Sequence, residues 1–182
     1  MTNVNGLDVN ELESLIEGVS AEPEQASFTF RAETEWTGGF ASETRISDFE
    51  QDGTTIESPE FTVTGDEPAA LLGERAGPNA VEHLLAAIGS CLSVTYAGHA
   101  AAKGIEIDDM HFEFEGDIDL RGFLGLSDDV RAGYEEIRAT THIDADASDE
   151  ELAALHEEVL ETSPLYDNVT NQVSLEFELD FE

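Results

Sequence analysis

The feature that most constrains this chain is GPNAVEHLLAAIGSCLSVTYAGHAAAKG, Gly77 to Gly104, a long stretch with almost no charge. Its apolar residues fall on nearly every side of a helical wheel, and a helix apolar all round belongs in an interior. The spacing predicts one helix from Ala80 to Lys103. Lys103 sits in its last turn, where a cation suits the helix dipole, and Gly104 is placed to cap it. One small sheet cannot cover such a helix. It must be sandwiched within the fold or covered by a second subunit, and a chain of 182 residues has limited area to bury. An intimate homodimer is the arrangement this favours.

The flanking segments supply the rest of an α+β domain. Asp8, followed three residues on by Glu11, opens an amphipathic helix with Leu12, Leu15, Ile16 and Val19 on one face and Pro23 beyond its end. SFTFRAETEW alternates as a half-buried strand, Gly38-Gly39 reads as a hairpin turn, and ASETRISDFE returns as a second strand. ESPEFTVTGDEP gives a third, centred on Phe61 and Val63, and AALLGERAGP is a connection punctuated by Gly73, Gly77 and Pro78. After the central helix, DDMHFEFEGDIDLRG alternates through Met110, Phe112, Phe114, Ile118 and Leu120, and EIRATTHIDADA is another strand. Ser148 and Glu151 form a capping box at the start of a second main helix. NQVSLEFELDFE closes the chain, alternating through Val173, Leu175, Phe177 and Leu179. The expected order is α-β-β-β-α-β-β-α-β: antiparallel sheet around two main helices, with residues 1–27 as a helical extension and 28–182 as one domain.

Charge excludes several classes of partner. Asp and Glu number 42 against 7 Lys and Arg, a formal net charge of −35. That surface repels nucleic acid and anionic lipid. The carboxylates are interleaved with apolar residues along the whole chain, the pattern of a folded protein from a high-salt cytoplasm, where screening weakens self-repulsion. The start, MTNVNGLDVNELES, has neither the basic residues nor the apolar core of a signal peptide, and no run of 18 apolar residues predicts a membrane span. A soluble cytoplasmic protein is expected.

The single cysteine, Cys91, admits two readings: a small buried apolar residue, or a nucleophile activated by a neighbouring cation. It falls about three turns into the helix, out of reach of the N-terminal dipole unless the helix breaks, for which Gly89 is a candidate. Glu82 lies in the first turn, where a carboxylate is favoured in any case. Glu82 and Cys91 are nine residues apart, so they face opposite sides of a straight helix and need a kink or a second subunit to meet. His83 and His99 each lie eight residues from Cys91, and His111, His142 and His156 are scattered. None makes a metal motif at i, i+4 spacing, and no cysteine pair, calcium loop, phosphate loop or Ser/His/Asp signature is present. No metal or cofactor is expected.

GPNAVEHLLAAIGSCL resembles the helix signature of the OsmC/Ohr family: proline, then glutamate, then a Leu/Ala-rich run ending in Gly-Ser-Cys. SPLYDNVTNQV resembles that family's closing segment, and EGDIDLRGFLGL a stretch of one OsmC-like subgroup. The element order agrees from about Phe28 to Glu182. The resemblance implies an interlocked homodimer with buried central helices and active sites at the subunit interface. It implies a thiol-dependent reduction of organic hydroperoxides, with Cys91 as the reactive cysteine and Glu82 as the helix-start glutamate. The family's second cysteine falls on Ser163, so the reductant must be an external thiol. Phe40 stands where some members carry the activating arginine, which leaves Arg45 and Arg75 as candidates. The alternative on the same fold is a small-molecule-binding module without peroxidase activity, with Cys91 lining an apolar interface pocket.

Overall fold

The computed structural model describes residues 3–181. The chain divides into two compact units, Met1–Ala86 and Ala87–Glu182.

In the first unit a short antiparallel pair, β1 (Asn3–Val4) and β2 (Leu7–Asp8), leads into α1 (Val9–Ala21). The Asp8 carboxylate accepts from the Asn10 and Glu11 amides and so caps α1. The segment expected as one strand from Ser27 to Trp36 is divided between two sheets. β3 (Phe28–Thr29) joins β6 (Phe49–Gln51) and β7 (Thr54–Ile56), whereas β4 (Glu33–Gly38) joins β5 (Ala41–Ile46) and β8 (Phe61–Gly65). The expected return strand is likewise divided between β5 and β6. Gly38 and Gly39 both take positive φ and close the β4–β5 hairpin. A second hairpin, β6–β7, turns on Asp52 and Gly53, both at positive φ, the primed geometry that Asp-Gly favours. Ladder β5–β8 pairs Ser42 with Gly65 and Ile46 with Phe61.

The helix α2 (Ala80–Lys103) has the predicted bounds and crosses from the first unit into the second. It is long and apolar enough, by length and composition, to span a bilayer. In the second unit Ile88, Leu92, Tyr96, Ala100 and Ala101 are buried, whereas Val94 is 73% exposed, so the chain covers one face of this helix and not, as expected, nearly every side. Gly104 takes φ of 72° and terminates it in the left-handed cap that favours glycine. The helix does not break at Gly89. That glycine serves a close approach, since a Cβ there would lie 3.0 Å from the Phe114 ring.

Phe114 belongs to β9 (Ile107–Asp117), which pairs antiparallel with β10 (Glu136–Ala145) along nearly its whole length. Their even pattern turns Met110, Phe112, Phe114, Ile137 and Ile143 inward and leaves the alternate residues exposed. Strand β9 ends at Asp117, and Leu120, expected to continue the alternation, begins a helical turn, α3 (Leu120–Phe123), capped by Asp119. Helix α4 (Asp149–Thr162) starts with the complete Ser148/Glu151 capping box, and α5 (Pro164–Thr170) follows after one residue, Ser163. Leu155 and Val159 of α4 are fully buried. The closing segment alternates as expected in sequence, yet residues 172–181 enter no strand, and Leu175, Phe177, Leu179 and Phe181 are at least 76% exposed.

Leu155 has no exposure and its packing is complete. Leu155→Ala is expected to cost about 2–5 kcal/mol through lost burial and the cavity left behind. Denaturant unfolding of both proteins in the same salt measures this.

Candidate active site

Two side-chain clusters, one in each unit, contain the predicted site residues other than Arg45. The first is organised by Asp66, only 4% exposed, at the end of β8. One carboxylate oxygen accepts from the Glu67 amide at 2.8 Å. The other accepts from the amides of Glu74 at 3.0 Å and Ala76 at 2.9 Å. These amides, Ala76 foremost, hold the Asp66 carboxyl below its ordinary range, because an acceptor of several N–H bonds is stabilised in its charged form. The loop folds tightly around this anchor. A Cβ on Gly73 would lie 1.9 Å from the Glu67 carbonyl oxygen, and one on Gly77 would lie 2.3 Å from that of Thr64. Only glycine fits at either position.

The anchored loop presents Arg75, whose φ of 58° lies in the left-handed region that a residue with a Cβ rarely adopts. Its guanidinium grips Glu82 in a two-pronged pair, with N–O distances of 2.5 and 2.7 Å. Glu82 also accepts from the Asn79 amide at 2.8 Å, while the Asn79 side chain accepts from the Glu82 amide at 3.0 Å. This is a capping box with asparagine as the cap. Glu82 therefore both starts α2 and holds Arg75. The Arg75 hydrogen bond, followed by the Asn79 amide, lowers the Glu82 carboxyl to about 2.

The second cluster centres on half-buried Cys91. Its Sγ lies 3.4 Å from Oγ of Ser163, which is 1% exposed. Ser163 is the junction between α4 and α5: its amide donates to the Val159 carbonyl, and its Oγ accepts from the Tyr166 amide at 3.4 Å. With that bond accepted, the serine hydroxyl hydrogen is available to the sulfur. Beside this cluster the second unit contains a cavity of about 660 Å³, lined by Ile88, Leu92 and Tyr96 of α2, by Phe114 and Ile137, and by His156. Cys91 is not among its lining residues. The Tyr96 hydroxyl is bonded to His156 Nδ1, and burial pushes the phenol up from its ordinary value.

Arg75 and Glu82 are thus brought together in one unit, and Cys91 and Ser163 in the other. Arg45 is placed elsewhere: on β5 it pairs with Glu35 at 2.9 Å and with Glu43 at 3.7 Å. Sequence reasoning missed Asp66, which carries no local signal because its partners lie up to ten residues away. It also missed the Asn79 cap, although Asn-x-x-Glu is the same pattern that was legible at Ser148.

The sequence matches the family model for OsmC-like protein over residues 73–178. This span covers more than half of the chain and includes Arg75, Glu82, Cys91 and Ser163. The chain belongs to the OsmC-like protein family. Among solved structures it is similar to the OsmC-like protein from Mycoplasma pneumoniae, with a TM-score of 0.62, 18% identity, and 79% of this chain and 89% of that one covered. It is also similar to an osmotic stress induced and detoxification response protein from Psychrobacter arcticus, described as putative, with a TM-score of 0.55, 14% identity, and 75% and 85% covered. A third is the organic hydroperoxide resistance protein OsmC from Legionella pneumophila, with a TM-score of 0.50, 17% identity, and 78% and 88% covered. At these identities the likeness establishes the fold. None of the curated proteins matches the sequence.

The Arg75–Glu82 pair predicts a specific acid response. Because the folded Glu82 carboxyl is depressed to about 2 from an ordinary 4.5, its contribution to stability is complete above about 4.5 and is lost as pH falls toward 2. Glu82→Gln should lack this component. The difference in unfolding midpoint between wild type and Glu82→Gln should shrink through that window, whereas a constant difference would contradict the pairing.

Proposed function

We propose that this protein is a redox stress-response protein in which Cys91 reduces organic hydroperoxides at the expense of an external thiol. The observation that carries this reading is the contact of Cys91 Sγ with Ser163 Oγ at 3.4 Å, inside the span that matches the family. The resemblance implies the family's second cysteine at Ser163, and the contact of that residue with the sulfur supports this reading. The Legionella relative, described as an organic hydroperoxide resistance protein and a predicted redox protein, points to the same chemistry.

The reaction is a two-electron transfer. The Cys91 thiolate attacks the distal oxygen of the hydroperoxide. The S–O bond forms as the O–O bond breaks, and the departing alkoxide takes a proton and leaves as the alcohol. Sulfur is then a sulfenic acid. With serine at 163 no intrachain disulfide can form. One external thiol condenses with the sulfenic acid and releases water, and a second displaces Cys91 from the mixed disulfide. The Ser163 hydroxyl can donate a hydrogen bond to the thiolate or to the sulfenate oxygen.

On a straight helix two residues nine apart, as Glu82 and Cys91 are in sequence, would face opposite sides. Arg75 is fixed to Glu82. The reading therefore takes the chain as a homodimer, in which the Arg75–Glu82 pair of one subunit serves Cys91 of the other. The exposed Leu175, Phe177, Leu179 and Phe181 are surface that a second copy would cover. A second reading, an apolar small-molecule-binding module, is favoured by the cavity lined by Ile88, Leu92, Tyr96, Phe114 and Ile137, although Cys91 is not part of that lining.

The test is to treat the purified protein in high salt with cumene hydroperoxide and a sulfenic-acid probe. Rapid labelling is expected in the wild type and none in Cys91→Ser, with labelling roughly tenfold slower in Arg75→Ala, equivalent to about 1.4 kcal/mol in the barrier. An unlabelled wild type at large peroxide excess would overturn the reading in favour of the binding module. Ser163→Cys provides a separate check. Peroxide should convert its Cys91 to an intrachain disulfide, seen by mass spectrometry as the loss of two hydrogens and of probe labelling.

A further inference from the structure

The outer face of the β9–β10 ladder carries a group of side chains with no part in the chemistry above. His111 and His142 stand directly opposite each other across the two strands. Their rings stack with centroids 4.4 Å apart and planes inclined by 11°. Glu113, two residues along β9 and therefore on the same face, places Oε2 3.6 Å from His142 Nε2. Asp109, two residues the other way, places Oδ2 3.4 Å from His111 Nδ1. Asp144 stands opposite Asp109 in the register. One ligand atom from each of His111, His142 and Glu113 can be chosen so that all three lie within 4.8 Å of one another. The cation on this face, Arg138, is engaged farther along the ladder by Glu115, Asp117 and Glu136.

We propose that His111, His142 and Glu113 form a binding site for a divalent transition-metal ion of the zinc, nickel or copper class, with water completing its shell. Two imidazole nitrogens select these borderline metals over magnesium and calcium, which take all-oxygen shells. A tetrahedral zinc shell with bonds of about 2.0–2.1 Å sets its ligand atoms about 3.3–3.4 Å apart. The three ligand atoms lie within 4.8 Å of one another, and both histidines are half exposed. The strands fix the ligand backbones in register, so the ion has only the side chains to order. Carboxylates beside the two imidazoles make a site that favours a dication. The acidic surface raises the local cation concentration further, without itself choosing the metal.

The test must separate this site from the general cation atmosphere of the surface. Tag-free full-length protein in high KCl is dialysed against limiting Zn2+ in the presence of excess Mg2+, and the retained zinc is measured. One equivalent per chain is expected in the wild type. His111→Ala and His142→Ala should each weaken binding about tenfold or more, because each removes a direct ligand. Both substitutions lie on the exposed face, and thermal melting in chelator confirms that the variants fold. Cu2+ as a probe should give an electron paramagnetic resonance spectrum with two imidazole nitrogens in the wild type and one in either single variant. Zinc that Mg2+ displaces completely, or that the double variant His111→Ala/His142→Ala retains unchanged, would overturn the proposal.

Discussion

Helix α2 is 24 residues long and carries both Glu82, in its first turn, and Cys91. A helix turns about 100° per residue, so groups that are neighbours in the signature are not neighbours in space. Glu82 is held in the first turn by its own cap and by Arg75, while Cys91 lies mid-helix, where no free amides are available to a thiolate. The chemistry expected of Cys91 therefore needs groups from elsewhere. In the second unit α4 and α5 supply one of them, because the chain changes direction at Ser163 and buries its hydroxyl against the sulfur.

The loop before α2 is fixed with unusual economy. Asp66 is a buried carboxylate with no cation bonded to it; three backbone amides neutralise the cost of its burial. Gly73 and Gly77 let the chain pass close enough to close those bonds. The strained backbone at Arg75 persists because the residues on both sides are held, and strain of this kind collects where a side chain must be aimed. The guanidinium reaches Glu82 with both prongs, a geometry that lysine could not reproduce. In a chain with only 7 basic residues, committing one to such a defined loop sets Arg75 apart from Arg45, whose partners are exposed strand carboxylates.

What was legible in the sequence was what local periodicity encodes. The bounds of α2, the Ser148 capping box and the alternation of β9 and β10 were all present in residue spacing, because each depends on neighbours within a turn or on a two-residue repeat. Long-range pairing was not legible. The segment from Ser27 to Trp36 alternates throughout, yet its two ends join different sheets, and nothing local marks where partners change. The Asp52-Gly53 hairpin is marked locally, by the dipeptide that favours its turn. α5 is only seven residues long, too short for a periodic signal. The closing segment is the converse case. Its alternation is that of a strand, but a strand also requires a partner, and periodicity does not supply one.

The site residues divide in the same way. Cys91 and Glu82 were found through a motif, and Asp66 and Asn79, which hold Arg75 and Glu82 in place, were not, because support is a property of the fold. Ser163 joins the two kinds. In the sequence, the resemblance to the OsmC/Ohr family implies a cysteine at this position and the chain has serine. In space it touches the sulfur, caps a helix and is almost wholly buried, so it is more than a deleted cysteine. The hydroxyl there makes a polar contact to Cys91, and the chain has no second cysteine with which Cys91 could form an intrachain disulfide. An oxidised Cys91 would then stay open to whatever thiol reaches it, and the identity of that thiol, rather than the protein's own geometry, would set how fast the site returns to its reduced state.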